Sequence, residues 1–400
     1  MATLTPRDET DLVEIVREAR DRRAPIEIVG RGTRRALGRP VEAPTRVDLS
    51  EMTGITLYEP SELVLTARAG TSLSEIAGTL ALSNQEMAFE PIDHSALFGH
   101  TAGAGTIGGL VGVGAAGPRR LKVGSARDHL LGFRGVNGFG DAFKSGGRVM
   151  KNVTGFDLSK LVTGSFGTLT VLTEVTLKVL PRAETEETVA ILGLDDRAGL
   201  ALLREASGSP QEVSSVAHLP AGLAGPFGDV AATLFRLEGP AVSVASREAD
   251  LVARWRGRGA IEILGEDASR ALWASLREAA PIAGGESQVW RISVAPSAGA
   301  AAVEAIRTSG VPIVGHFWDW AGGEVWMAVE PAADAAAAVV RRAVEAIGGH
   351  ATLIRAAEAV RAGVAPFHPQ PAALAALTAR VKRAFDPDGL FNPGRMVEGV

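Results

Sequence analysis

The residues Gly30-Arg31-Gly32-Thr33-Arg34 follow directly on the apolar segment Ile26-Glu27-Ile28-Val29. A strand that runs into a glycine turn with exposed amides and two arginines can hold a phosphate. The amides donate hydrogen bonds and the guanidinium groups offset the negative charge. The same pattern also fits an ordinary basic surface turn. A second stretch offers related chemistry. Residues 99–181 hold 18 of the 47 glycines in about a fifth of the chain. Glycine loses more backbone freedom on folding than any other residue. It suits places where the backbone turns with positive φ or where a ligand lies against the main chain. The ligand such a surface suits best is a dinucleotide.

Two pieces of this stretch match GxGxxG, at 103–108 and 112–117. A Rossmann site needs a strand before the glycines, a helix after them, and an acid about 20 residues on. Neither match follows a convincing strand. The pairs Gly108-Gly109 and Gly117-Pro118 are expected to break any helix, so the Rossmann reading is rejected.

The elements that must position these residues are mixed. Thr5 is the expected N-cap of a first helix, with Pro6 at its first position and Asp8 completing a capping box. Leu12, Val13, Ile15, Val16 and Ala19 then recur at helical spacing, and Pro25 ends the run. Strands are expected at 46–49, 54–58 and 63–67. Ser72 and Glu75 form a second capping box for a helix through about residue 83. Glu90-Pro91 opens a loop. Residues 168–180 read as one long strand or two paired ones, stopped by Pro181. From 182 onward glycine thins and alanine rises. Strands are expected at 188–192, 230–237, 261–264, 289–294, 312–318, 324–330 and 352–354, with helices between them, including 300–308 and 332–347. Trp318, Trp320 and Trp326 read as core and hairpin packing. The chain closes with a helix over 371–385. Asp386-Pro387-Asp388-Gly389-Leu390-Phe391-Asn392-Pro393-Gly394-Arg395 follows, and its apolar pair argues that it docks back. The class is α+β rather than a regular βαβ array.

Length and composition bound the answer. Four hundred residues suggest two or three domains, and 46% hydrophobic with 22% charged residues is a soluble globular balance. A net charge of −5 argues against general nucleic-acid binding. The chain has no cysteine, which rules out disulfides, thiolate metal sites and a cysteine nucleophile within it. No secretory signal is visible, and cytoplasmic residence is the expectation. The uncharged run 96–118 is rich in glycine and is not expected to span a membrane.

Taken together these motifs resemble the FAD-linked oxidase family with a vanillyl-alcohol-oxidase, or PCMH-type, FAD-binding domain. Within that family the sequence is similar to the FAD-binding subunits of glycolate oxidase. The resemblance is carried by Thr106-Ile107-Gly108-Gly109, Gly117-Pro118-Arg119-Arg120, Gly124-Ser125-Ala126-Arg127-Asp128-His129, the stretch 146–157 and Gly164-Ser165-Phe166-Gly167-Thr168-Leu169. It covers nearly all of 1–181 and the C-terminal tail. It implies a PCMH-type FAD-binding domain over 1–182, an α+β cap with an antiparallel sheet over 183–366, and a helix and tail over 367–400 that pack back on the FAD domain. It also implies a set of cofactor-binding residues. Gly30, Arg31, Gly32, Thr33 and Arg34 would hold the FAD pyrophosphate. Thr106, Gly108, Gly109 and the Gly117 turn would sit against phosphate and flavin. Gly124 and Asp128 would line the cleft. Gly164, Gly167, Thr168, Glu174 and Val175 would border the adenine and flavin. Asn392 and Arg395 would bring the tail to the flavin edge. Pro91, Gly155 and Asp157 belong to the same expected set.

Three departures qualify the resemblance. Residues 26–40 lack histidine, so FAD is expected to be non-covalent. The histidines beyond the FAD domain, His218, His316, His350 and His368, are too scattered for the metal motif of hydroxy-acid-oxidising relatives, and no metal is expected. Asn137-Gly138-Phe139-Gly140-Asp141 and Thr170 differ from the usual wording. The implied function is an FAD-binding subunit of a multi-subunit glycolate oxidase. A sister FAD-containing catalytic subunit and an iron–sulfur subunit would be its partners, and no catalytic residue is nominated in this chain. A stand-alone FAD-dependent dehydrogenase and a non-catalytic assembly subunit are the alternatives.

Overall fold

The computed structural model describes residues 1–148, 155–223 and 225–398. Half of the motif 146–157, residues 149–154, therefore lies outside the described residues. The chain divides into two compact units. The first comprises Met1–Gly117, Gly124–Arg182 and Pro369–Val400; the second comprises Pro118–Val123 and Ala183–His368.

The described strands of the first unit are β1 (Ala2–Leu4), β2 (Ile26–Val29), β3 (Thr45–Asp48), β4 (Ile55–Glu59), β5 (Val64–Arg68), β6 (Gln85–Glu86), β7 (Leu130–Val136), β8 (Ala142–Gly146), β9 (Val171–Lys178) and β10 (Leu180–Pro181). They form a parallel three-stranded sheet β1-β3-β2, an antiparallel five-stranded sheet β4-β5-β9-β7-β8, and the small pair β10-β6. Leu12, Val16 and Ala19 on the first helix bury with Ile26, Val47, Leu390 and Phe391 in one core. That core seats the tail: Phe391 bridges to Ile26, and Ile26 N donates to Leu390 O at 2.8 Å.

The second unit carries β11 (Thr185–Leu192), β12 (Ser215–Leu219), β13 (Ala232–Gly239), β14 (Ala260–Leu264), β15 (Gln288–Ser293), β16 (Ile313–Asp319), β17 (Glu324–Val329) and β18 (His350–Arg355). They make an eight-stranded sheet in the order β14-β11-β13-β12-β16-β17-β15-β18. Its large core includes Phe235, Trp255, Trp290, Trp318 and Met327. Trp318, Trp320 and Trp326 are all buried, as packing residues.

The α+β class holds, and several local expectations are corrected. The first helix spans Glu9–Asp21 with Asp8 as its N-cap, accepting from the amides of Thr10 and Asp11. Residues 2–4 pair with β3, and the helix begins after Asp8 rather than Thr5. The helix expected at 332–347 covers only Ala337–Glu345, because Ala335 and Ala336 take left-handed conformations at φ 51° and 52°. Helix Ile107–Val113 forms despite Gly108-Gly109, so the reason given against a helix at the first GxGxxG match fails. Glycines in a helix cost about 1 kcal/mol each. Burial of Ile107, Leu110 and Val111 offsets this, as do bonds from Ile107 N to Thr71 O and Gly108 N to Ala69 O. A Cβ on Gly108 would stand 2.8 Å from that of Ala69, so this close approach requires glycine. No strand precedes the match directly, and the residues before it form helix Ser95–Phe98. Strands β7, β8 and β12 were not anticipated. Among the described residues no helix is long and apolar enough to cross a membrane, and no three metal-ligating side chains gather.

The second unit contains a buried histidine with a consequence for stability. His316 packs edge-on against Trp318, and its Nε2 has no partner among the described residues. Burial brings its pKa from 6.5 to about 4; Asp196 opposes this, while Arg307 and His218 add to it. The folded value lies below the unfolded one. The unfolded chain therefore binds the proton first, and stability present above pH 6.5 is lost as pH falls toward 4. The protein should lose roughly 2–3 kcal/mol from this group between pH 7 and pH 4.5. Urea unfolding of wild type and His316→Leu at both pH values measures it; an equal pH dependence in the two proteins would refute the assignment.

Candidate functional site

A cleft in the first unit opens to solvent and spans about 870 Å³, the solvent at its mouth included. One wall is the turn after β2. Gly32 sits there at φ 72°, and Arg35 N closes the turn onto Gly32 O at 3.2 Å. The backbone amides of Arg31, Gly32 and Thr33 donate to no acceptor among the described residues. The Arg31 guanidinium likewise makes no ion pair among them. Three free amides and a free guanidinium at the mouth of a cleft make an anion cradle. This fits the pyrophosphate of a dinucleotide.

Buried charge fixes the rest of that wall. Arg34 lies 3.1 Å from Asp93 with both side chains buried, and its Nη2 donates to Ile92 O at 3.0 Å. Asp93 also accepts from Gly103 N at 2.9 Å. The pair thus ties the turn to the loop that leads into helix Ile107–Val113. Glu27 on β2 accepts from Arg35 Nε at 2.7 Å and Arg46 Nε at 2.9 Å. Burial would raise its pKa, but these two guanidinium bonds outweigh that and hold it below the usual carboxylate range. Glu27 therefore stays ionised and aims Arg35.

Helix Ile107–Val113 forms the floor. Thr106 caps it by accepting from Gly109 N at 3.2 Å. The amides of Ile107, Gly108 and Gly109 are all bonded within the protein, so this helix start offers close approach rather than free donors. The far end is built by Phe166, Gly167 and the tail. Asn392 Oδ1 accepts from Ile28 N at 2.7 Å, and its Nδ2 donates to Phe166 O at 2.8 Å. Arg395 Nη2 donates to Arg34 O at 2.9 Å, strapping the tail over the turn.

Of the residues expected to bind a cofactor, the cleft brings together Gly30, Arg31, Gly32, Thr33, Arg34, Thr106, Gly108, Gly109, Gly167, Asn392 and Arg395. The others lie outside its lining and do local work. Pro91 sits in the loop that delivers Asp93. Gly117 N bonds Phe89 O at the point where the chain leaves the first unit. Asp128 caps its own short helix by accepting from Ser125 N and Oγ, beside Gly124. Asp157 caps helix Leu158–Val162, next to Gly155. Gly164 N donates to Val111 O, securing helix Ile107–Val113. Thr168 Oγ1 donates to Ser165 O. Glu174 accepts from Thr56 Oγ1, and Val175 is core of β9.

Sequence reasoning missed Glu27, Arg35, Leu49, Ala69 and Leu172 in the lining. A charged residue inside the apolar run 26–29, followed by arginines, was the available signal for Glu27. Nothing local marks Leu49, Ala69 or Leu172, which reach the cleft from other strands and turns. Thr170 lines the cleft and donates to Val136 O at 2.9 Å. The altered 137–141 segment is a turn held by Asn137 Oδ1, outside the lining. In the second unit His218 bonds Thr233 Oγ1 and Asp196, and the rings of His350 and His368 stand 6.4 Å apart.

Comparison with known proteins adds an independent finding. Residues 1–146 match the model of an FAD binding domain, and residues 367–396 match that of the C-terminal domain of FAD linked oxidases. The chain is 35% identical over 389 residues to glycolate oxidase subunit GlcE of Escherichia coli, covering 96% of each. It is 30% identical over 192 residues to glycolate oxidase subunit GlcD of Bacillus subtilis, covering 48% of this chain and 39% of the other. Among solved structures, 4-ethylphenol oxidase from Gulosibacter chungangensis shares the fold at a TM-score of 0.69 and 14% identity, over 99% of this chain and 88% of its own. An alkyldihydroxyacetonephosphate synthase does so at 0.69 and 16%, over 98% and 76%.

The closed end of the cleft is testable without any ligand. Gly167 has φ 67°, and a Cβ there would stand 2.9 Å from Asn392 Nδ2. Gly99 has φ 70° with nothing near its missing Cβ. Left-handed strain alone costs about 1 kcal/mol in each alanine variant. Gly167→Ala should lose at least about 1 kcal/mol more than Gly99→Ala, because it also displaces Asn392. Equal losses in denaturant unfolding would show that the Asn392 contact does not matter.

Proposed function

Since the chain belongs to the FAD-linked oxidases, a family of FAD-dependent oxidoreductases, we propose that it is the FAD-holding subunit of a multi-subunit enzyme that oxidises glycolate to glyoxylate. The near-full-length similarity to a glycolate oxidase subunit supports the substrate and the assembly. We assign FAD binding to residues 1–182 together with the tail 367–400, and a cap role to 183–366.

The observation that carries the reading is the character of the cleft lining. The lining holds four arginines, Arg31, Arg34, Arg35 and Arg395, and one carboxylate, Glu27, in a chain whose net charge is −5. The free amides of Arg31, Gly32 and Thr33 would hold the pyrophosphate, with Arg31 and Arg35 offsetting its charge. Leu49, Ala69, Val113 and Leu172 would supply the apolar contact a flavin ring requires, and Phe166 with Asn392 would close the end. When bound, FAD supplies the acceptor for the electron pair of a 2-hydroxy acid. Attachment is non-covalent on this reading, as no histidine or cysteine lines the cleft among the described residues.

The same lining argues for division of labour. Its one carboxylate is committed to Arg35 and Arg46 and stays ionised, and no histidine, tyrosine or lysine lines the cleft among the described residues. A base for the substrate hydroxyl must come from elsewhere. A sister FAD subunit would supply substrate oxidation. With no cysteine in this chain, an iron–sulfur acceptor would belong to a separate subunit.

Purified protein should be yellow and should release FAD on acid or heat denaturation. Glycolate should bleach the flavin only when the chain is co-expressed with its partner subunits, as read by the visible spectrum. A colourless chain that cannot be reconstituted with FAD would sink the proposal. Bleaching of the isolated chain would make it a stand-alone dehydrogenase instead.

A further inference from the structure

Helix Ala372–Phe385 is largely exposed along its length, and its one fully buried side chain is a lysine. Lys382 Nζ uses all three of its donors: to Asp386 Oδ2 at 2.6 Å, Thr168 O at 2.7 Å and Phe391 O at 3.1 Å. Asp386 is equally buried and equally occupied. Its Oδ1 accepts from Leu390 N at 2.9 Å and its Oδ2 from Phe391 N at 2.8 Å. A buried ion pair is weak evidence for stability, since well-packed apolar residues often serve as well. Its geometry therefore calls for another account.

The three acceptors of Lys382 lie at the C-cap of its own helix, in the 165–168 loop and further along the tail. The last two end in the residues that close the cleft. Phe166 and Gly167 lie just before Thr168, and Asn392 follows Phe391. Neither Lys382 nor Asp386 lines the cleft itself. We infer that the buried Lys382–Asp386 pair is a positioning pair for the cofactor, setting the spacing between the 165–168 loop and the tail so that Asn392 bridges Ile28 and Phe166. This inference rests on the reading that FAD occupies the cleft.

The pair acts through Asn392, so its loss should register on the bound flavin as well as on stability. Lys382→Met keeps the length and removes the charge. Asp386→Asn keeps the volume and one acceptor. In titrations of apoprotein with FAD, each variant should raise the dissociation constant by about tenfold or more, because a loosened site must be ordered on binding. At saturating FAD, the visible circular dichroism of the flavin should differ from wild type, which a merely stabilising role would not change. Trypsin should cut faster after Arg395 in the apo variants. Folded variants that bind FAD with the wild-type constant and spectrum overturn the inference. If neither variant folds, hydrogen exchange on wild type decides: the Leu390 and Phe391 amides should slow when FAD is added, and unchanged exchange also overturns it. Failure of the wild-type chain to bind FAD at all would sink the cofactor reading instead.

Discussion

One side-chain amide holds the cleft together. Asn392 accepts from Ile28 on β2 and donates to Phe166 in the loop before β9. These partners are separated by more than a hundred residues from each other and by more than two hundred from the tail. Both bonds are to backbone, so they fix main-chain positions rather than side-chain rotamers. A carboxamide accepts at one atom and donates from another, so a single side chain can bridge two separate main-chain segments. Asn392 holds a left-handed φ of 43°, a conformation asparagine tolerates better than most residues. The tail's apolar pair places it there: Leu390 and Phe391 fill the core beneath the first helix, and a fully buried phenylalanine contributes about 2–3 kcal/mol.

Charge in this region is sorted by partner. The cleft wall carries an excess of guanidinium groups, yet they differ in role. Arg34 is buried against Asp93, Arg35 and Arg46 share Glu27, and Arg395 bonds to backbone carbonyls. Arg31 alone among the lining arginines makes no ion pair or hydrogen bond among the described residues. Fixed guanidinium groups give a positive field that is already in place before an anion arrives, and a site with charges held by buried carboxylates reorganises little on binding.

The turn over Gly30–Arg34 was legible in the sequence because strand, glycine and arginine are adjacent in the chain there. Asn392 and Arg395 were legible only through resemblance, since nothing local says where a tail docks. The helix over residues 107–113 was misread because propensity argues against Gly108-Gly109, whereas tertiary contact with Ala69 decides the matter. Glycine density also hid β7, whose alternation is broken at Gly132 and Gly135, and the short β8, which ends on Gly146. Asp128, Asp157 and Glu174 were read as cofactor contacts; in the structure each carboxylate accepts from a nearby amide or hydroxyl and lies outside the cleft lining. Pattern cannot separate a carboxylate that caps a helix from one that faces a ligand. Leu49, Ala69 and Leu172 were invisible for a plainer reason: an apolar cleft wall and an apolar core have the same composition.

The division of the chain has a consequence in time. The first unit is assembled from three segments, and its last segment lies beyond the whole of the second unit. During synthesis the eight-stranded sheet and its core can be complete before residue 391 exists, since domains tend to fold as units as they emerge. Until the tail arrives, the core under the first helix lacks Leu390 and Phe391, and Ile28 N has no Asn392 to accept its proton. The segment from β1 through the Gly30–Arg34 turn thus waits for a tail segment made after the second unit. The cleft therefore lacks its far wall until the tail segment has emerged, behind the whole of the second unit.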